Sequence, residues 1–244
     1  MVSGKIYLFK VVLLMNGFEY IKINLDELKL ELEETARLAG VAVPKLVAVT
    51  KSGSDEELIA LLEAGAVAIG ENRPSELKRR GELLSERGFT PELHQIGTLQ
   101  SNKAKLVSDS AFLIHSLDSL SLAKELEKQS KKLGKKIPVL IEINSAEEPQ
   151  KSGVLPSEAE AFYESISVFE GLEVRGLMTM GPAVCESEEL RKYFRLTKKL
   201  FDKLNTQYGF GDAPTLSMGM SDSYKVAIEE GSTLVRVGRK LFYK

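Results

Sequence analysis

One cysteine, Cys185, stands in the 244 residues of this sequence. No internal disulfide can form, zinc sites built from several thiolates are excluded, and the usage fits a reducing compartment, so the cytoplasm is the expected location. A charge excess is missing as well. The 33 Lys and Arg nearly cancel the 35 Asp and Glu, which leaves no strong field to steer the chain toward nucleic acid or an anionic membrane. Small molecules are therefore the expected partners. No apolar run is long enough to span a bilayer. The nearest approach, residues 6–15, follows Lys5 but lacks a small-residue cleavage site after it, so it reads as a surface strand or tail, with Met15 an alternative start. His94 and His115 stand apart from acidic residues at metal-ligand spacing, and no metal is expected. Linkers of Pro and Ser are also absent. The expectation is one domain over residues 21–244, with residues 1–20 as an extension.

What the sequence does contain is an alternation. Asn24 and Glu27 have capping-box spacing, and Leu25, Leu28, Leu32 and Ala36 then recur at helical spacing until Gly40, predicting an amphipathic helix. KLVAVTK follows as a β-branched run ending at Lys51, and Ser54 with Glu57 predicts the cap of a second helix. The strand–loop–helix unit then repeats. Strand-like runs at VAIGEN, LHQIG, FLIHSL, IPVLIEIN, VRGLMTM, TLSMGM and TLVRVG are separated by helical stretches, predicted among others over 99–107 and 222–230. Eight units alternating in this way predict a parallel α/β fold, a single (β/α)8 TIM barrel with an extra N-terminal helix over the seam; an open doubly wound sheet is the competing topology. The basic run at 131–136 surrounds Gly134, and it reads as a solvated helix end rather than a nucleic-acid patch.

In such a barrel the chemistry sits at the C-terminal ends of the strands. The sequence puts mostly polar residues there: Lys51, Glu71 and Asn72, Gly97, His115, Asn144, Ser217, Gly219 and Ser221, Arg236 and Gly238, with Met178 from the sixth run. A lysine directly after an apolar strand aims its amine at the barrel mouth, where it can attack an aldehyde. The competing reading is a lysine that snorkels to solvent or pairs with Glu71. Strands seven and eight commonly hold phosphate in this fold, and GMSDS places Ser221 at the expected N-cap of the next helix, whose N–H groups favour an anion. Arg236, inside the apolar run TLVRVG, calls for a ligand or a buried partner, since an unpaired buried charge is costly.

Together LVAVTK, GENR, HQIGTLQSNK, the KSG at 151–153, RGLMTM, LSMGMSDS and STLVRVG make the chain resemble the pyridoxal phosphate (PLP) homeostasis proteins, over about residues 46–242. That family is similar to the barrel domain of alanine racemase, the fold-type III PLP-binding barrel. The resemblance implies a Schiff base (aldimine) between PLP and Lys51. It also implies phosphate held by Ser221 and the backbone at Gly238 and Arg239 with Ser217 nearby, a ring lined by Asn72 and Met178, and Arg236 facing the ring nitrogen. A guanidinium cannot accept a hydrogen bond, so the ring nitrogen stays unprotonated and the ring is a poorer electron sink. Storage, delivery or buffering of PLP, with PLP-requiring apoenzymes as recipients and without robust turnover, is what the resemblance implies, with a monomer as the expected state. Two departures stand out: Arg239 where the family usually has Thr or Ser, and Phe242–Tyr243 where it has a phenylalanine–glycine pair. Arg239 could pair with the phosphate directly. A racemase-like PLP enzyme and a cofactor-free lysine aldolase are the alternatives carried forward.

Overall fold

The computed structural model describes residues 17–182 and 186–243. The N-terminal apolar run, Met15 and Cys185 lie outside the described residues. The first described helix, α1 (Glu19–Ala39), buries Ile21, Leu25, Leu28, Leu32 and Ala36 along one stripe, each leucine contributing roughly 1.5–3 kcal/mol. It ends where Gly40 adopts a left-handed conformation, φ 69°, at little cost because glycine has no Cβ. The predicted cap at Asn24 is a correction: the helix begins five residues earlier, and Asn24 is interior to it. Its amide instead donates to the carbonyls of Leu241 and Tyr243, tying α1 to the C-terminal segment.

The next elements alternate as the sequence predicts: β1 (Lys45–Val49), α2 (Asp55–Glu63), β2 (Ala68–Glu71), α3 (Pro74–Glu86), β3 (Glu92–Gln95), β4 (Leu113–Leu117), α4 (Leu120–Leu133) and β5 (Ile137–Ile143). They continue as α5 (Ala159–Ile166), β6 (Leu172–Thr179), α6 (Arg191–Tyr208), β7 (Thr215–Ser217), α7 (Tyr224–Glu229), β8 (Leu234–Val237) and α8 (Arg239–Phe242). The eight strands close in sequence order. Parallel pairing of β1 with β8, Ala48 opposite Val237, excludes the open sheet. Apolar side chains of α1 form one cluster with Ala48, Val235, Val237 and Leu241, so the leading helix does cover the seam. Ser54 and Glu57 form a complete capping box on α2. Gly134 terminates α4 in the left-handed region, with Lys131 paired to Glu127, as expected of a solvated helix end. Between β3 and β4 the predicted α-helix is a 3-10 turn, Ser101–Leu106, with one buried residue, Ala104, too few to hold an α-helical face. Among the described residues no helix is long and apolar enough to cross a membrane.

Strand alternation decides what enters the barrel. On β5, Ile137, Val139, Ile141 and Ile143 join the outer core under the helices, while Leu140 packs with Leu113 and Met178. Glu142 therefore shares the inward side with Leu140. Barrel interiors are ordinarily filled by branched aliphatics. Here His94, His115, Glu142, Ser217 and Arg236 are all buried, and the interior is partly polar.

Candidate cofactor site

Lys51 lies two residues beyond β1 in an exposed turn. Its predicted competitor pairing does not form. Glu71 accepts instead from Thr50 Oγ1 and from Arg80 on α3, both partners being buried. Arg80 also donates to the carbonyls of Thr50 and Gly53, each at 2.6 Å. A guanidinium thus grips the backbone on both sides of Lys51, and a side chain on Gly53 would meet Phe242 at 2.7 Å. The turn is pinned between α3 and α8, and Lys51 itself is exposed. Sequence reading missed Arg80, because a basic residue in a helix's second turn looks like solvated surface.

Around the rim, Gly97 allows β3 to pass the backbone of Asn72, whose carbonyl would lie 2.4 Å from an added Cβ. The same carbonyl accepts from Gln95 Nε2 at 3.1 Å. This leaves the exposed Asn72 side chain at the mouth. Asn144 folds back on the loop after β5, bonding both the N–H and the carbonyl of Glu148. Met178 is wholly buried with Leu113 and Leu140, which makes it floor rather than wall. Met180, partly exposed and one pleat period further on, is the rim residue that sequence reading passed over.

On the β7–β8 side, Gly219 turns the chain at φ 93°, and a Cβ there would lie 2.6 Å from Ala227. Ser221 is not the helix cap. Helix α7 starts at Tyr224 with Ser223 in the N-cap position, and Ser221 Oγ instead accepts from the N–H of Gly238 at 3.4 Å. This long bond ties the β7 loop to the end of β8. An added Cβ on Gly238 would lie 2.8 Å from the carbonyl of Val49, so the strands approach as closely as glycine allows. Arg239 pairs with Asp222, both exposed, and a pair of that kind contributes little and exchanges readily.

Because β1 and β8 are hydrogen-bonded neighbours, Lys51 and the Ser221–Gly238–Arg239 loop pair stand side by side at the mouth. That suits PLP, whose aldehyde and phosphate arm leave adjacent ring carbons.

Below the mouth, Arg236 donates to Ser217 Oγ and, at 3.0 Å, to the Thr179 carbonyl. Burial pulls its guanidinium down to about 10, against the opposing attraction of Glu142, so it remains a cation at neutral pH. Burial, joined by the charge of Asp118 and opposed by Arg236, pushes the Glu142 carboxyl up to about 7. One of its oxygens is buried without a hydrogen-bond partner. Asp118 is itself raised by burial. A donor-only cation at the bottom, an unfilled acceptor beside it, a lysine above and a glycine-lined loop pair next to the lysine fit the ring nitrogen, amine-reactive carbonyl and phosphate of PLP. Among the described residues no cluster of His, Cys, Asp and Glu could hold a metal ion.

This arrangement defines a class, the racemase-type (β/α)8 barrel, and the family model for the N-terminal domain of alanine racemase matches residues 23–243. Narrower relatives are also found. The chain is 41% identical to a pyridoxal phosphate homeostasis protein of Helicobacter pylori over 82% of this chain and 87% of that one, and 37% identical to one of Aquifex aeolicus over 93% and 98%. The chain belongs to the family of pyridoxal phosphate homeostasis proteins. Its fold is similar to PipY of Synechococcus elongatus, solved with PLP bound: TM-score 0.79 at 28% identity, covering 91% of this chain and 99% of that one.

Proposed function

We propose that this protein binds PLP covalently through Lys51 and serves PLP homeostasis, as a store or carrier. When bound, the cofactor supplies an aldehyde that condenses with amines and a ring that withdraws electrons. The observation that carries the assignment is the placement of Lys51: its backbone is clamped by Arg80 and Phe242 while β1 lies against β8 and its phosphate-type loop. Ser221 and the backbone at Gly238 and Arg239 receive the phosphate, with Ser217 beneath them; Asn72 lines the ring and Met178 supports it from below. Arg236 donates to the ring nitrogen and keeps it from carrying a proton, which favours holding PLP over turning over amino acids. The single Cys185 supports a cytoplasmic setting, in which a monomer passes PLP to apoenzymes.

The test is mass spectrometry after loading with PLP and reducing with borohydride. One phosphopyridoxyl group is expected on the peptide containing Lys51, and none on Lys51→Ala. An adduct on another lysine, with Lys51→Ala retaining the full absorbance of the loaded protein, overturns the assignment.

A further inference from the structure

The two histidines of the sequence are both fully buried inside the barrel, where aliphatic side chains would ordinarily stand. They lie in a continuous line of contacts. Arg236 Nη1 donates to Ser217 Oγ, Ser217 Oγ is 3.0 Å from His115 Nδ1, His115 Nε2 is 2.9 Å from His94 Nδ1, and His94 Nε2 is 3.3 Å from Glu92 Oε2. Glu92 is held in turn by Lys45 at the opposite rim of the barrel.

The chemistry of the end groups gives this line a direction. Arginine has no acceptor, so Ser217 Oγ must accept from it, and the hydroxyl's own hydrogen is then best placed on His115 Nδ1. His115 then carries its proton on Nε2 and donates to His94 Nδ1. His94, likewise protonated on Nε2, donates to the Glu92 carboxylate. In this arrangement every donor in the line finds an acceptor with both rings neutral. Burial lowers the basicity of both rings; for His115 the nearby His94 and Arg236 push the same way, whereas for His94 the Glu92 carboxylate opposes it. Glu92 is pushed up by burial but held low on balance by its hydrogen bonds to His94 and Lys45.

We propose that His94 and His115 are positioning residues for Arg236, forming a one-way chain of hydrogen bonds that fixes the guanidinium toward the cofactor ring and anchors it to the Lys45–Glu92 pair at the far rim. The proposal rests on the reading that Arg236 faces the ring nitrogen of PLP. Removing an acceptor from the chain leaves a buried donor unsatisfied and lets the guanidinium turn away from the ring.

With only two histidines to assign, the chain is open to direct observation. Nitrogen-15 NMR of histidine-labelled, cofactor-free protein should show both rings neutral at about pH 6, each protonated on Nε2. A second experiment uses PLP as the probe, comparing His115→Phe, which fills the space without an acceptor, with His115→Asn, whose amide oxygen restores one near Nδ1. The expected results are roughly tenfold weaker PLP binding for His115→Phe, a displaced absorbance band with a shifted pH midpoint, and substantial return of both in His115→Asn. A proton on Nδ1 of His115 overturns the chain's direction even if no variant folds. A folded His115→Phe with unchanged affinity and spectrum overturns the positioning role. If PLP fails to attach to Lys51 in the parent protein while the tautomers are as stated, the cofactor reading fails and the chain stands.

Discussion

Replacing Glu142 by glutamine should make the protein more stable at alkaline pH and leave it nearly unchanged in mild acid. The carboxyl titrates at about 7 in the folded protein against an ordinary 4.5, so keeping it ionised inside the barrel costs about 3 kcal/mol relative to the unfolded chain. The native protein binds the extra proton between these values, and stability therefore falls as pH rises from about 4.5 through about 7, then levels. Glutamine has the same shape and no charge to bury. The orphaned oxygen has no donor to lose, and the attraction of Arg236 is already outweighed in the net shift. Other carboxylates, such as Glu31, held at about 2, slope the opposite way, so the informative quantity is the difference between variant and parent. Urea unfolding of the cofactor-free proteins at about pH 5 and pH 8 measures it. A gain for Glu142→Gln that appears only at the higher pH, up to about 3 kcal/mol, is expected. A difference that does not change with pH, or a parent more stable than the variant at pH 8, would refute the assignment of a buried, strained charge.

Two further outcomes follow from contacts at the rim. Arg80→Met leaves Glu71 buried without its cation and frees the carbonyls on both sides of Lys51, so chemical denaturation should show a loss of about 3–5 kcal/mol; a loss under about 1 kcal/mol would mean the clamp is not formed. Ser221→Ala removes the acceptor of the Gly238 N–H and a hydroxyl from the phosphate cradle, and PLP retention measured by equilibrium dialysis should weaken by roughly 0.5–2 kcal/mol, with unchanged retention removing Ser221 from the cradle.

The fold was legible because it is written in local periods. Eight strand-like runs, alternating with mostly helical stretches, survive reading without any knowledge of contacts, and the Ser54–Glu57 box and Gly134 mark helix ends by chemistry confined to a few neighbouring residues. The failures share a cause. Asn24 and Ser221 have the chemistry of caps, but their partners, Leu241 and Tyr243 for one and Gly238 for the other, come from distant parts of the chain. Lys51 and Arg236 could be singled out because a charge beside or within an apolar strand is conspicuous. Arg80 and the histidine line could not, since each depends on which residues face each other across strands, and register is set by closure of the barrel.

Closure also has a consequence for when the protein can work. Lys51 is delivered by the first strand, whereas Arg236, Gly238 and Arg239 arrive with the last, so almost the whole polypeptide separates the two sides of the proposed site. With the phosphate seated as proposed, a chain still emerging from the ribosome, or one clipped before β8, would have the lysine but nowhere to hold that phosphate. PLP held in this way would be a clasp between the first strand and the last, and any affinity for it would add to the stability of the closed ring alone. Vitamin supply would set not only how much cofactor is held but how firmly the barrel stays shut.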